Sequence, residues 1–197
     1  PEDAGWLNKE IGSVEDLSGL KMRIAGLGAQ ILERVGVSPQ LMAPGDIYAA
    51  LDRGVIDATE FSTPAADLTI GFDEVAKYYY FPGWHQQSAF AQLLINLDTW
   101  NGLSDQHKTL IEMGCEAAIT NTLAEGESLQ APALAELESR GAEIKTLPAP
   151  LLAALGEEWN AVSEELAGQS ETFKKAWDSY SAFRDGYAKW RSVGYLR

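Results

Sequence analysis

Short apolar runs of strand character alternate with segments of helical spacing along the first third of the chain, between Leu20 and Phe61. KMRIAGLGAQILERVG reads as a strand, a Gly-x-Gly turn and a helix that stops at Gly36. PQLMAPGDIYAALDRG repeats the design, with Pro44-Gly45-Asp46 as the turn and Gly54 closing the helix, and VIDATEF opens a third strand. Strands alternating with helices predict an α/β fold with a parallel sheet, and the loops at the carboxyl ends of such strands are where small ligands bind. Within KMRIA, alternation puts Met22 and Ile24 on one face and Lys21, Arg23 and Ala25 on the other.

Ser13 and Asp16 make a short-side-chain version of a capping box, and Thr63-Pro64 can start a further short helix. After YYYFPGW, the run SAFAQLLINL is apolar enough to predict a central strand. The pattern changes from Leu103 onward. Ser104 caps a helix that can run to Gly141, with Pro132 as an expected kink or break. GAEIKTLP predicts one more strand, and two long helices follow. The last helix carries Phe173, Trp177, Tyr180, Phe183, Tyr187 and Trp190 at intervals of three and four, an aromatic stripe suited to core packing or a partner helix. The organisation is therefore an α/β module followed by a mostly helical part.

Composition narrows the partners. Of 197 residues, 46% are hydrophobic and 22% charged, which is ordinary for a globular protein. The net charge of −14 argues against a nucleic-acid or anionic-membrane surface. No apolar run approaches the ~20 residues of a membrane span. Cys115 is the single cysteine, so neither an intrachain disulfide nor a CxxC site exists, and its helical surroundings predict a small buried thiol. PEDAGWLNKE has neither an initiating methionine nor a signal peptide, as expected of a processed, truncated or subcloned product.

Arg23 and Glu60 stand out at or beside strand ends. The planar guanidinium fork of Arg23 suits a carboxylate, although pairing with a surface acid is equally open from position alone. Glu60, at the end of an apolar strand, has to be paired, protonated or metal-bound unless the strand end is solvated. In YYYFPGWHQQS, aromatic rings can wall a pocket and Gln86 or Gln87 can offer an amide to a cation or a solute. His85 and His107 assemble into no HExxH or Ser-His-Asp arrangement, GLGAQI lacks the third glycine of a dinucleotide fingerprint, and there is no P-loop lysine. Catalysis finds little support.

The stretch EDLSGLKMRIAGLGAQILERVGVSPQLMAPGDIYAALDRGVIDATEF resembles the solute receptors of TRAP (tripartite ATP-independent periplasmic) transporters. YYYFPGWHQQ is most similar to the branch that binds 2-oxo and 2-hydroxy acids such as pyruvate or lactate. The resemblance implies a periplasmic-binding-protein-like, type II-like fold. Residues 1–102 become an α/β solute-binding lobe with a hinge strand, and 103–197 a mostly helical part with hinge elements and a possible dimerisation helix. It further implies that Arg23 clamps the substrate carboxylate and that Glu60, the Phe61 carbonyl and Gln86 hold a bridging metal ion, with Trp84 beside the substrate. A neutral amide at Gln86 favours Na⁺ over Ca²⁺. The implied partners are a small carboxylate, the TRAP membrane subunits and a second copy of the chain, in the periplasm. The family has a further α/β lobe ahead of the stretch seen here, with a glutamine metal ligand just before Pro1. Two other readings remain open on the residues: an enzyme using Glu60 as acid or base, and a helical interaction module without solute binding.

Overall fold

The computed structural model describes residues 2–89 and 91–195. Six short strands form one sheet: β1 (Gly5–Leu7), β2 (Lys21–Arg23), β3 (Ser38–Gln40), β4 (Ala58–Thr59), β5 (Tyr78–Phe81) and β6 (Glu143–Thr146), in the order β3-β2-β4-β1-β5-β6. β2 runs parallel to β3 and β4, and β5 runs parallel to β6, but β1 is antiparallel to both β4 and β5. The expected parallel sheet is therefore a mixed one, with a single reversed strand. The two crossovers from β2 to β4 each contain a helix, α1 (Gly26–Arg34) and α2 (Ile47–Asp52), which fixes those three strands as parallel. β1 is joined to β2 without a full helical crossover, so nothing in its connection dictates the same direction.

Alternation along the strands builds a core on each face. Leu7, Met22, Ile24 and Tyr80 point to one face, where they meet Ile31 and Leu32 of α1 and Leu151 and Leu155 of α6 (Ala149–Gln169). Trp6 and Tyr79 point to the other, where they meet Ile47 and Leu51 of α2, Phe72, and Leu137 near the end of α5 (Asp105–Ser139). Trp6 and Tyr79 stack with centroids 4.0 Å apart. The two remaining longer elements are α3 (Pro64–Ile70), packed on α5, and α7 (Glu171–Val193), packed on α6; a short α4 (Leu97–Gly102) precedes α5. Several predicted boundaries are where the local signals put them. Gly36, at φ +93°, ends α1, and Ser104 Oγ accepts from His107 N at 3.3 Å; of the Ser13–Asp16 box only one half forms, Asp16 Oδ2 accepting from Ser13 N, while the Ser13 hydroxyl caps no backbone N–H among the described residues.

Two expectations fail. Residues 91–96 form no strand: Leu93 is 64% and Leu94 86% exposed, and Phe90 of the same run lies outside the described residues. Apolar character makes a strand only where a ladder edge is available, and this run pairs with neither outer strand, β3 nor β6. Cys115 is exposed rather than buried, because α5 buries only Ala133 and Leu137, near its carboxyl end. As expected, α5 runs nearly to Gly141, and of the two alternatives at Pro132, kink or break, the break is excluded because the helix continues to Ser139. The turn after Pro132 is held by those two buried side chains and by packing against α3, which offsets the backbone hydrogen bond that proline cannot donate.

The two ends of α5 should differ sharply in stability. Leu137→Ala, at a fully buried position, is expected to cost about 2–5 kcal/mol. Leu110→Ala, on the exposed part, should lie within about 0.5 kcal/mol of the unsubstituted chain. Urea unfolding followed by circular dichroism measures both, and equal losses would contradict this account of α5.

Candidate functional site

Five strands share one direction, so their carboxyl ends lie at one edge of the sheet, and the reversed β1 brings its amino-terminal end to that same edge. There β2 and β4 are in register, with Arg23 opposite Thr59. The next residue, Glu60, donates its backbone N–H to Arg23 O at 3.2 Å. Arg23 Nη1 in turn donates to Glu60 Oε1 at 2.8 Å and to the Glu60 carbonyl at 3.1 Å. Both side chains are largely buried. The two residues singled out in the sequence thus meet each other, and Arg23 Nε is left buried without a partner among the described residues.

The segment Glu2–Ala4, just before β1, is stitched across this edge. Asp3 N donates to Ser62 O, Ala4 N to Tyr80 O and Glu2 N to Gln86 O, while Gly83 N donates to Glu2 O. Gly83 is required by that approach, because a Cβ there would stand 2.2 Å from the Glu2 carbonyl oxygen. The stitching sets the Glu2 carboxylate beside Glu60. Gln86 Nε2 donates to Glu2 Oε1 at 2.7 Å. His85 Nε2 lies 3.4 Å from Glu60 Oε2 and 3.8 Å from Glu2 Oε2, and neither imidazole nitrogen makes an aligned hydrogen bond among the described residues. Burial, and secondarily the charge of Glu60, pushes the Glu2 carboxyl above the usual carboxylate range.

Of the residues read from the sequence, Arg23, Glu60 and Gln86 converge here, Gln86 through Glu2. The rings of Phe61 and Trp84 turn to the cores: the Phe61 ring packs edge-on against Phe72 in one core, which leaves the predicted role of its backbone carbonyl untouched, and Trp84 packs on the other core, with its ring 5.4 Å from that of His85. Glu2 and His85 were missed. No local pattern marks Glu2, because its place depends on the reversed strand. His85 had a signal, since it directly follows the Gly-Trp pair, but it belongs to none of the catalytic histidine arrangements.

Behind the site a second carboxylate pair is wholly enclosed. Asp67 Oδ2 accepts from Trp6 Nε1 and from the Tyr79 hydroxyl, each at 2.9 Å, and the same hydroxyl lies 3.4 Å from Asp3 Oδ2. Asp3 and Asp67 are both fully buried. Burial first, and the facing Asp67 second, raises the Asp3 carboxyl well above its ordinary range; burial also raises Asp67, against the hydrogen bonds it accepts. Two apposed carboxyls of this kind are most stable sharing one proton.

Comparison with known proteins places the chain among relatives. The profile of the family described as bacterial extracellular solute-binding protein, family 7, matches residues 4–169. A monocarboxylate 2-oxoacid-binding periplasmic protein of Nostoc sp. is 36% identical over 192 residues, 98% of this chain and 53% of that protein. A TRAP transporter solute-binding protein of Bordetella bronchiseptica superposes with a TM-score of 0.90 at 34% identity, covering 98% of this chain and 57% of that one. It is a mixed-occupancy dimer, with copurified calcium and picolinate in one active site and the other site apo. A TRAP periplasmic solute-binding protein of Pseudoalteromonas atlantica, with bound sodium and pyruvate, superposes with a TM-score of 0.88 at 29% identity, covering 96% and 58%. The chain spans about half the length of the curated relative it matches.

The Asp3–Asp67 pair gives stability a definite pH dependence. The folded chain holds the Asp3 proton more tightly than the unfolded chain, so this group's contribution to stability is fully present below the unfolded carboxyl range and is lost as pH rises through the folded value. The decline is at most about 1.4 kcal/mol per pH unit for one proton. Asp3→Asn should flatten it, so that denaturation midpoints between pH 5 and pH 8 change less than in the unsubstituted chain. An unchanged or steeper decline would refute the shared proton.

Proposed function

The chain belongs to the bacterial extracellular solute-binding proteins of family 7, and from that membership we propose that it captures a small carboxylate solute for a TRAP transporter in the periplasm. One observation carries the reading: a largely buried guanidinium and carboxylate, Arg23 and Glu60, meet at the carboxyl ends of two adjacent parallel strands. That edge is where α/β sheets bind ligands. The Arg23 fork retains an unpartnered buried Nε, so it has a donor to offer an incoming carboxylate. The solute class, a 2-oxo acid or a near analogue, is supported by the pyruvate, picolinate and 2-oxoacid ligands of the relatives. The function is capture rather than turnover: the solute is bound, enclosed and passed to the membrane subunits unchanged.

A bridging cation belongs to the same reading. The donor set fits one, since the carboxylates of Glu60 and Glu2 stand side by side at a poorly solvated edge and, among the described side chains, Arg23 alone pairs with either through a permanent positive charge. Glu60, Glu2, the Phe61 carbonyl and the Gln86 amide are the oxygen donors proposed to hold it. When bound, the ion neutralises carboxylate charge and bridges protein to solute. Without Glu2, a neutral amide at Gln86 favours Na⁺. With Glu2 present, the site regains a negative charge, and a divalent ion such as Ca²⁺ suits it at least as well. Arg23 orients the solute carboxylate, and Gln86 orients Glu2 through its 2.7 Å hydrogen bond.

Self-association through α7 completes the proposal. Trp177 turns toward α6, 6.0 Å from Trp159, with Phe173 stacked on it, whereas Tyr180, Phe183 and Trp190 are left about half or more exposed. Such an aromatic face is a surface for a second copy.

Two measurements test these statements. In calorimetric titration with pyruvate, Arg23→Lys keeps the charge but loses the fork, and should weaken binding at least about tenfold, or about 1.4 kcal/mol. Glu60→Gln should make the remaining binding indifferent to cation removal. Unchanged affinity in the first variant, or a persistent cation requirement in the second, removes that residue from its role. In sedimentation velocity, Phe183→Glu combined with Trp190→Glu should convert dimer to monomer, and a monomeric unsubstituted chain would end the dimer proposal.

A further inference from the structure

The short segment that carries Glu60 away from β4 runs directly into α3, so the start of that helix fixes its far end. A helix cannot satisfy the N–H groups of its own first turn. Thr63 stands at the cap position, but among the described residues its side chain makes no capping hydrogen bond. Pro64 has no N–H, and Ala66 N and Asp67 N each donate to the Thr63 carbonyl at 2.9 Å. Ala65 N is served from another element, donating to Gln130 Oε1 of α5 at 3.1 Å. The other end of the same amide, Gln130 Nε2, donates to the Gly126 carbonyl one turn back along α5 at 2.7 Å. With an N–H facing one end and a carbonyl facing the other, a single orientation of the amide satisfies both.

We infer that Gln130 is a positioning residue of the solute site: from α5 it caps α3 and so holds the segment of residues 60–65 in place beside Arg23. The inference rests on the receptor reading above. Three backbone anchors fix that segment. Glu60 N donates to Arg23 O, Ser62 O accepts from Asp3 N, and Ala65 N donates to Gln130. The first two come from the sheet and from the segment ahead of β1, and the third comes from α5. α3 itself is tied to the sheet by Asp67, which accepts from Trp6 and Tyr79, so Gln130 adds the matching tie to its other neighbour. Gln130 also lies in the turn of α5 just before its buried residues, Ala133 and Leu137, where the helix is anchored. Removing the amide leaves the Ala65 N–H without its acceptor and lets the start of α3 shift on α5. A charged group orients a solute only as well as the backbone beneath it is held.

The test compares two variants of the full chain. Gln130→Met keeps the volume and loses both hydrogen bonds, whereas Gln130→Glu keeps an acceptor for Ala65 N, where a negative charge also suits the start of a helix. Amide exchange followed by nuclear magnetic resonance, without solute, should quicken at Ala65 at least about tenfold in Gln130→Met and stay within about threefold in Gln130→Glu. Calorimetric titration with pyruvate separates folding from positioning, because stoichiometry reports the folded fraction and Kd reports the site. Kd should rise at least about fivefold in Gln130→Met and stay within about twofold in Gln130→Glu. Glu127→Ala, exposed on the same stretch of α5, should alter neither readout. An unchanged Ala65 exchange rate in Gln130→Met shows that no cap is lost and overturns the inference. So does faster exchange with an unchanged Kd, which makes the cap purely structural, or a Gln130→Glu variant as weak as Gln130→Met. Each of these leaves the receptor reading intact. An unsubstituted chain that binds no pyruvate ends the receptor reading and this inference with it.

Discussion

The Arg23–Glu60 ion pair is the constraint around which the site is arranged. A guanidinium and a carboxylate removed from water are costly unless each finds a charged or hydrogen-bonding partner, and here they satisfy one another across the register of β2 and β4. The pair is incomplete: among the described residues two guanidinium nitrogens, Nε and Nη2, and one carboxylate oxygen remain uncommitted. A buried pair with spare capacity on both members is what the proposed carboxylate and cation would complete, each bringing a complementary charge. Structural ion pairs elsewhere in the chain, such as Lys77–Glu143 and Arg34–Glu165, are solvated and depend on no such completion.

The reversal of β1 follows closely in importance. It inserts Trp6 into the middle of the sheet, where its stacking on Tyr79 and its hydrogen bond to Asp67 anchor one core. It also brings Glu2 and Asp3 to the ligand edge, which a parallel strand would have carried to the opposite end. The enclosed Asp3–Asp67 pair lies directly behind Glu2, so the backbone that carries a site carboxylate is itself fixed by a buried polar network. Such networks favour one arrangement over others, because any alternative leaves several polar groups unpaired.

The long helices have a different standing. α5 is anchored at its carboxyl end and exposed along most of its length, and α7 presents rings to solvent beyond its contact with α6. Apolar faces of this kind are surfaces with capacity for further packing.

Local signals were sufficient for the βα repeats. The glycines at 36 and 54, the turn at Pro44–Asp46, the cap at Ser104 and the two-fold alternation of Lys21–Ala25 act over a few residues, and the structure follows them. Arg23 and Glu60 were legible for the same reason: each is a charged residue at the end of an apolar strand, where its charge needs an explanation. The direction of β1, the failure of residues 91–96 to pair, and the exposure of Cys115 were not legible. Each depends on which other segment lies alongside, and hydropathy reports how apolar a segment is without reporting what covers it. The convergence of Glu2 and His85 on Glu60 belongs to the same class. It joins residues 58 and 25 positions away from Glu60 through strand order and backbone stitching, so only the assembled sheet could bring three donor atoms to one point.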